Sequence, residues 1–184
     1  MNSSAFNARR LDVAALAQAG ARLAGEWPGR DFSRLQRDAL ATDDGAEADA
    51  VAWTARGELR TAADGLPRIG LDLQARTRLR LQCQRCLLPM LCELNAHTRL
   101  RFAADEATAE RLDPDSDDDI LALPSVLDLR ELVEDELILA LPPFPRHDRC
   151  DPPGPLSDAL TREAEPKPFA ALAALRRSSG DGPA

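Results

Sequence analysis

The sequence predicts an α+β fold: an antiparallel β-meander sheet with helices packed on one face. Three observations carry this expectation. Residues 51–102 alternate apolar and polar side chains with period two over three segments, the links between those segments are short, and an apolar stripe at helical spacing follows Asp128. With 184 residues the chain suits one domain, read over residues 1–184, with an acidic loop at 105–119 and a proline-rich C-terminal segment at 151–184.

Asp12 is placed to cap a first helix running to about residue 24, with Val13, Leu16, Ala17 and Leu23 on one face and Gly25 and Pro28 as its stop. Residues 31–41 read as a short helix or an ordered loop. The first strand alternates Val51, Trp53, Ala55, Gly57 and Leu59 with Ala52, Thr54, Arg56, Glu58 and Arg60. Asp64-Gly65 marks a turn. Ile69, Leu71, Leu73, Ala75, Thr77, Leu79 and Leu81 then share one face, and the phase switches so that Met90, Cys92, Leu94, Ala96, Thr98, Leu100 and Phe102 share it next. A hairpin turning around residues 85–88 sets Arg76 opposite His97, Gln74 opposite Arg99 and Asp72 opposite Arg101. Ile120–Leu123 adds a short strand. Asp128 and Glu131 form a capping box for a helix whose stripe is Leu129, Leu132, Val133, Leu137, Ala140 and Leu141, ended by Pro142-Pro143. Glu131, Glu134 and Asp135 fall on its solvated side. A short docking helix with Phe169, Leu172 and Leu175, followed by Arg176 and Arg177, closes the chain.

Composition removes several chemistries. Lys167 is the only lysine and lies between two prolines with no glycine-rich loop before it, which excludes a P-loop and disfavours a Schiff-base lysine. With five Phe, two Trp and no Tyr, a row of base-stacking rings is not available. No G-x-S-x-G motif or triad occurs, so neither a catalytic residue nor a small-molecule substrate is expected. The longest apolar run, residues 137–144, is too short to cross a bilayer, and no secretory signal is visible, so a cytoplasmic protein is expected. The net charge of −8 is concentrated: residues 105–119 carry eight acids against Arg111, leaving the rest of the chain near neutrality.

Two groups of residues bear chemistry. Arg56, Arg60, Arg76, Arg78, Arg80, Arg99 and Arg101 fall on the polar side of the strands, with Arg85 at the hairpin turn, and an arginine-rich sheet face suits RNA phosphates, the alternative being a solvated face on an arginine-biased protein. Cys83-Gln84-Arg85-Cys86 and His147-Asp148-Arg149-Cys150 form two half-sites with two-residue spacing, the pattern of a tetrahedral structural zinc, with Cys83, Cys86, His147 and Cys150 as ligands. Reduced structural cysteines are the alternative. Cys92, in phase with the apolar face, reads as core.

Cys83-Gln84-Arg85-Cys86-Leu87, then Val133-Glu134-Asp135-Glu136-Leu137-Ile138-Leu139-Ala140-Leu141-Pro142, then Pro145-Arg146-His147-Asp148 with Cys150, then Lys167-Pro168-Phe169-Ala170-Ala171-Leu172-Ala173-Ala174-Leu175 follow in an order that resembles the bacterial YceD family, the large ribosomal RNA subunit accumulation proteins. The resemblance covers most of the chain; Leu87, Leu88 and Cys92 look like local variation. It implies a non-enzymatic ribosome-biogenesis factor in the bacterial cytoplasm, supporting synthesis, processing or stability of 23S rRNA. Its partner would be 23S rRNA or a precursor particle, or a large-subunit ribosomal protein, with no membrane. The rival expectation is a protein-interaction adaptor whose acidic loop meets a basic partner, with zinc in a structural role.

Overall fold

The structure, a computed structural model, describes residues 6–40, 49–61, 67–116 and 118–154. Its centre is a five-stranded mixed sheet, in the order β1 (Arg22–Trp27), β2 (Val51–Thr61), β3 (Pro67–Gln82), β4 (Pro89–Ala103) and β5 (Asp119–Ala122). Among the described residues three α-helices accompany it: α1 (Val13–Gln18), α2 (Glu106–Leu112) and α3 (Leu129–Leu139). The α+β class is as the alternation predicts. The Asp64-Gly65 turn, the proline-rich C-terminal segment beyond Gly154 and the helix with Phe169 lie outside the described residues.

Three expectations of the topology are corrected. The first helix ends at Gln18, and residues 22–27 are strand β1, paired antiparallel to β2 from Arg22↔Arg56 to Trp27↔Val51. The stop is Gly20, at φ +56°, with Ala21 N–H donating to Leu16 O at 3.1 Å and Gly20 N–H to Ala17 O at 3.0 Å. That double bond pattern is a Schellman ending, which needs the left-handed conformation glycine adopts freely. The sheet is also not a pure meander, because β5 runs parallel to β4, with Leu100 opposite Asp119 and Phe102 opposite Leu121. A parallel neighbour needs a crossover, and the acidic segment supplies it: Asp105 caps α2 through the Thr108 amide at 2.8 Å, and Leu112 leads back towards β5.

The third correction is register. Gln74, not Arg76, stands opposite His97; Asp72 stands opposite Arg99 and Gly70 opposite Arg101. The β3–β4 link is a six-residue knuckle from Cys83 to Leu88, so pairing starts at Gln82↔Pro89. Both faces keep their side chains because the slip is by two residues.

The apolar sides of β2, β3 and β4 bury Val51, Trp53, Ala55, Leu71, Leu73, Leu79, Leu81, Leu94, Leu100 and Phe102 with Leu16 from α1 and Leu129, Val133 and Leu137 from α3. Trp27 stacks on Trp53 with centroids 4.4 Å apart. Asp128 caps α3 through the amides of Arg130 and Glu131 and holds Arg9 at 2.8 Å. Leu11 and Leu127 exchange two backbone bonds beside it, tying the first helix to the third. α1 packs so close to β2 that a Cβ on Gly57 would lie 2.5 Å from the Leu16 carbonyl carbon. Gly57→Ala is therefore expected to push α1 off the sheet, at about 2–3 kcal/mol and roughly 4–12 °C in Tm for a chain of this size. An unchanged melting curve would show that the helix moves freely.

Glu134 is not solvated as the helical wheel suggests. It is buried on α3, where Oε1 accepts from the Arg34 amide at 2.7 Å and the Leu35 amide at 3.2 Å, while Oε2 takes Arg34 Nε at 3.0 Å. Arg34 also reaches Asp135. The carboxylate thus satisfies the open amides of the 3₁₀ turn Leu35–Asp38 from across the sequence.

Candidate metal centre and charged sheet face

The Cys83–Leu88 knuckle is closed by Cys83 N–H to Leu88 O and Leu87 N–H to Cys83 O, both at 2.9 Å. Within it the Arg85 amide points at Cys83 Sγ, 3.4 Å away. The segment after α3 docks on this turn: Gln84 N–H donates to Pro145 O at 2.8 Å, and the His147 amide approaches Cys83 Sγ at 3.5 Å. Arg85 Nη1 meets Cys150 O at 3.5 Å, so this arginine sits at the knuckle and not on the sheet.

These contacts bring Cys83, Cys86, His147 and Cys150 together, with all four ligand atoms within 4.8 Å of one another. Cys83 Sγ lies 3.7 Å from Cys150 Sγ, and Cys86 Sγ lies 3.3 Å from His147 Nδ1. Around a tetrahedral zinc with Zn–S bonds of ~2.3 Å and Zn–N bonds of ~2.0 Å, the corresponding separations are about 3.8 and 3.5 Å. The donor set therefore fits an ion of that size. Burial opposes ionisation of Cys83, yet the amides of Cys86, His147 and Arg85 outweigh it and bring its pKa down to about 5. A thiolate at neutral pH is what a metal ligand must be. For Cys150, burial, followed by its hydrogen bonds to Cys83 and Cys86, pushes the pKa up to about 11. A divalent cation among the sulfurs would relieve that repulsion. Cys92 stands apart, half-buried against the core.

Leu87 follows the second knuckle cysteine at φ +62°, a left-handed position, and the residue is 53% exposed. A branched residue there costs about 1–2 kcal/mol. Leu87→Gly is expected to raise Tm by a few degrees, read by thermal melting of the metal-loaded protein; a drop would mean that Leu87 packing outweighs its strain.

The strand register puts Arg56, Arg60, Arg76, Arg78, Arg80, Arg99 and Arg101 on one side of the sheet, opposite the core. Arg22 joins them through its pairing with Arg56, a position that the helical spacing of residues 12–24 hides. The face is part neutralised. Arg60 pairs with Glu58 at 2.6 Å, Arg78 with Asp49 at 2.6 Å and Arg101 with Asp118 at 2.7 Å, while His97 Nε2 lies 3.3 Å from Asp72. Arg56, Arg76, Arg80 and Arg99 are exposed and form no ion pair with a described residue. Among the described residues no helix is long and apolar enough to cross a membrane.

The structure thus combines an α+β sheet that exposes one charged face with a hairpin closed by a Cys₃His cluster able to hold a metal ion. Residues 71–176, more than half of the chain, match the family model described as "Large ribosomal RNA subunit accumulation protein YceD", so the chain belongs to the YceD family. The family description attaches it to accumulation of the large ribosomal RNA subunit. No solved structure matches the chain.

Proposed function

We propose that this protein is a non-enzymatic ribosome-biogenesis factor of the bacterial cytoplasm that supports accumulation of 23S rRNA by binding a precursor of the large subunit. Membership of the YceD family carries this reading. The arginines that pair with no described acid supply the physical means, since guanidinium groups on an open sheet can replace the counterions of RNA phosphates. The Cys₃His cluster would hold structural zinc: all four ligands come from the protein, the kind of closed set that structural sites use. Zinc would fix the β3–β4 turn to the segment after α3, while the protein's own amides orient Cys83.

A second reading, an adaptor for a basic ribosomal protein, draws on the exposed acids of α2, Glu106 and Glu110. Two measurements test the pair. Cells lacking the gene should show fewer large subunits in sucrose gradients and a lowered 23S/16S ratio; an ordinary profile would overturn both readings. Salt-sensitive retention of deproteinised rRNA on the purified protein supports the RNA face, and its absence favours the adaptor.

A further inference from the structure

We propose that the dent over Gly70, at one end of the arginine face, seats a single unpaired guanosine of a single-stranded RNA segment. This inference rests on the RNA-face reading above and names the nucleotide that the face selects. The dent is a cavity of about 210 Å³. It opens because Gly70 sits in the cross-strand row between Glu58 and Arg101 and has no side chain there, so bare strand backbone forms the floor.

The walls carry both signs of charge. Arg60, Arg68, Arg99 and Arg101 stand with Glu58, Asp72 and Asp118. A pocket for phosphate alone would not hold three carboxylates, because each repels the anion. A nucleobase is different: its edge offers N–H donors that carboxylates accept, while its carbonyl and the flanking phosphates take guanidinium donors. Glu58 uses Oε2 on Arg60, and Asp118 uses Oδ2 on Arg101. Glu58 Oε1 and Asp118 Oδ1 are left without a partner among the described residues. Asp72, directly opposite Arg99, spends its oxygens on His97 and on Gln74 at 3.4 Å, which leaves the Arg99 guanidinium for the ligand. Among the bases, guanine sets two neighbouring donors, its ring imino and exocyclic amino groups, beside a carbonyl acceptor. That pattern matches carboxylates flanked by arginines. The matching edge is occupied in a duplex, so the base must be unpaired. Arginine planes can take the stacking role, since no aromatic ring lines the dent.

Gly70 also allows a clean test. A Cβ there would come no nearer than 3.4 Å to Leu100 O, an ordinary contact, so a larger residue fills the dent without displacing a strand. The full-length, zinc-loaded protein is titrated by fluorescence anisotropy with a labelled oligouridine, the same oligomer with one central guanosine, and a duplex containing that guanosine. The wild type is expected to bind the guanosine oligomer about tenfold tighter than oligouridine, as one good bidentate base contact allows. Gly70→Val should lose that preference while keeping oligouridine affinity, Glu58→Gln should lose it even though freeing Arg60 tightens oligouridine, and Arg76→Glu should weaken both single strands alike. A wild type that does not discriminate, a Gly70→Val protein that still does, or tighter binding to the duplex overturns the pocket while leaving the RNA face standing. Absence of binding to any RNA overturns the RNA face itself, and the guanosine seat with it.

Discussion

Withdrawing zinc with a strong chelator is expected to lower the melting temperature of this protein by roughly 8–16 °C. The figure follows from mass action. Free zinc at a thousandfold over its dissociation constant stabilises the folded state by about 4 kcal/mol, and each kcal/mol is worth about 2–4 °C at this chain length. Cys150→Ser should reproduce the loss and lower the bound zinc from one ion per chain, measured by elemental analysis. Cys92→Ser should leave the bound zinc and the size of the chelator-induced drop unchanged, because Cys92 lies outside the Cys₃His cluster and only packs on the core. Protein purified without bound metal, with the same Tm in chelator and in zinc, would show that the four side chains meet for packing alone.

The second large effect concerns the open face. Changing Arg56, Arg76 and Arg80 together to Gln removes three guanidinium groups that no described acid neutralises. If each meets one phosphate, the slope of log affinity for single-stranded RNA against log salt should become shallower by about 2. The triple Arg60, Arg78 and Arg101 to Gln should shift the slope far less, since each of those arginines is already committed to a carboxylate 2.6–2.7 Å away and must abandon it to reach RNA. Equal shifts for the two triples would mean that net charge alone, and not these particular positions, governs the contact. Folding is not at issue for the first set, whose side chains are exposed and form no ion pair with a described residue.

What the sequence made readable follows from how local each interaction is. The long strands β3 and β4 declare themselves because one side of each is buried, so their side chains must alternate for more than a dozen residues. The cysteine and histidine half-sites were legible from residue type and spacing, but only the bonds from Gln84 to Pro145 and from His147 to Cys83 bring them together. β1 was hidden because Gly20 ends α1 within six residues and the next six pair with a strand far along the chain. The direction of β5 was hidden for a related reason: a four-residue strand has no pattern that distinguishes parallel from antiparallel neighbours. Glu134 looked solvated since its partner, the Arg34–Leu35 turn, lies 100 residues earlier. The charged face was legible as a row of arginines, whereas its neutralisation by Asp49 and Asp118 depends on segments the period-two pattern does not include.

The knuckle also has a temporal side. Cys83 and Cys86 belong to a hairpin that can close while the polypeptide is still being synthesised, whereas His147 emerges 61 residues after Cys86. An ion caught early by the first pair would wait, loosely held, for its remaining ligands, and would then fasten the finished chain as a late clasp. Ribosome-stalled chains ending near residue 140 should accordingly surrender zinc to a chelator far faster than the released protein does; equal rates would remove the clasp.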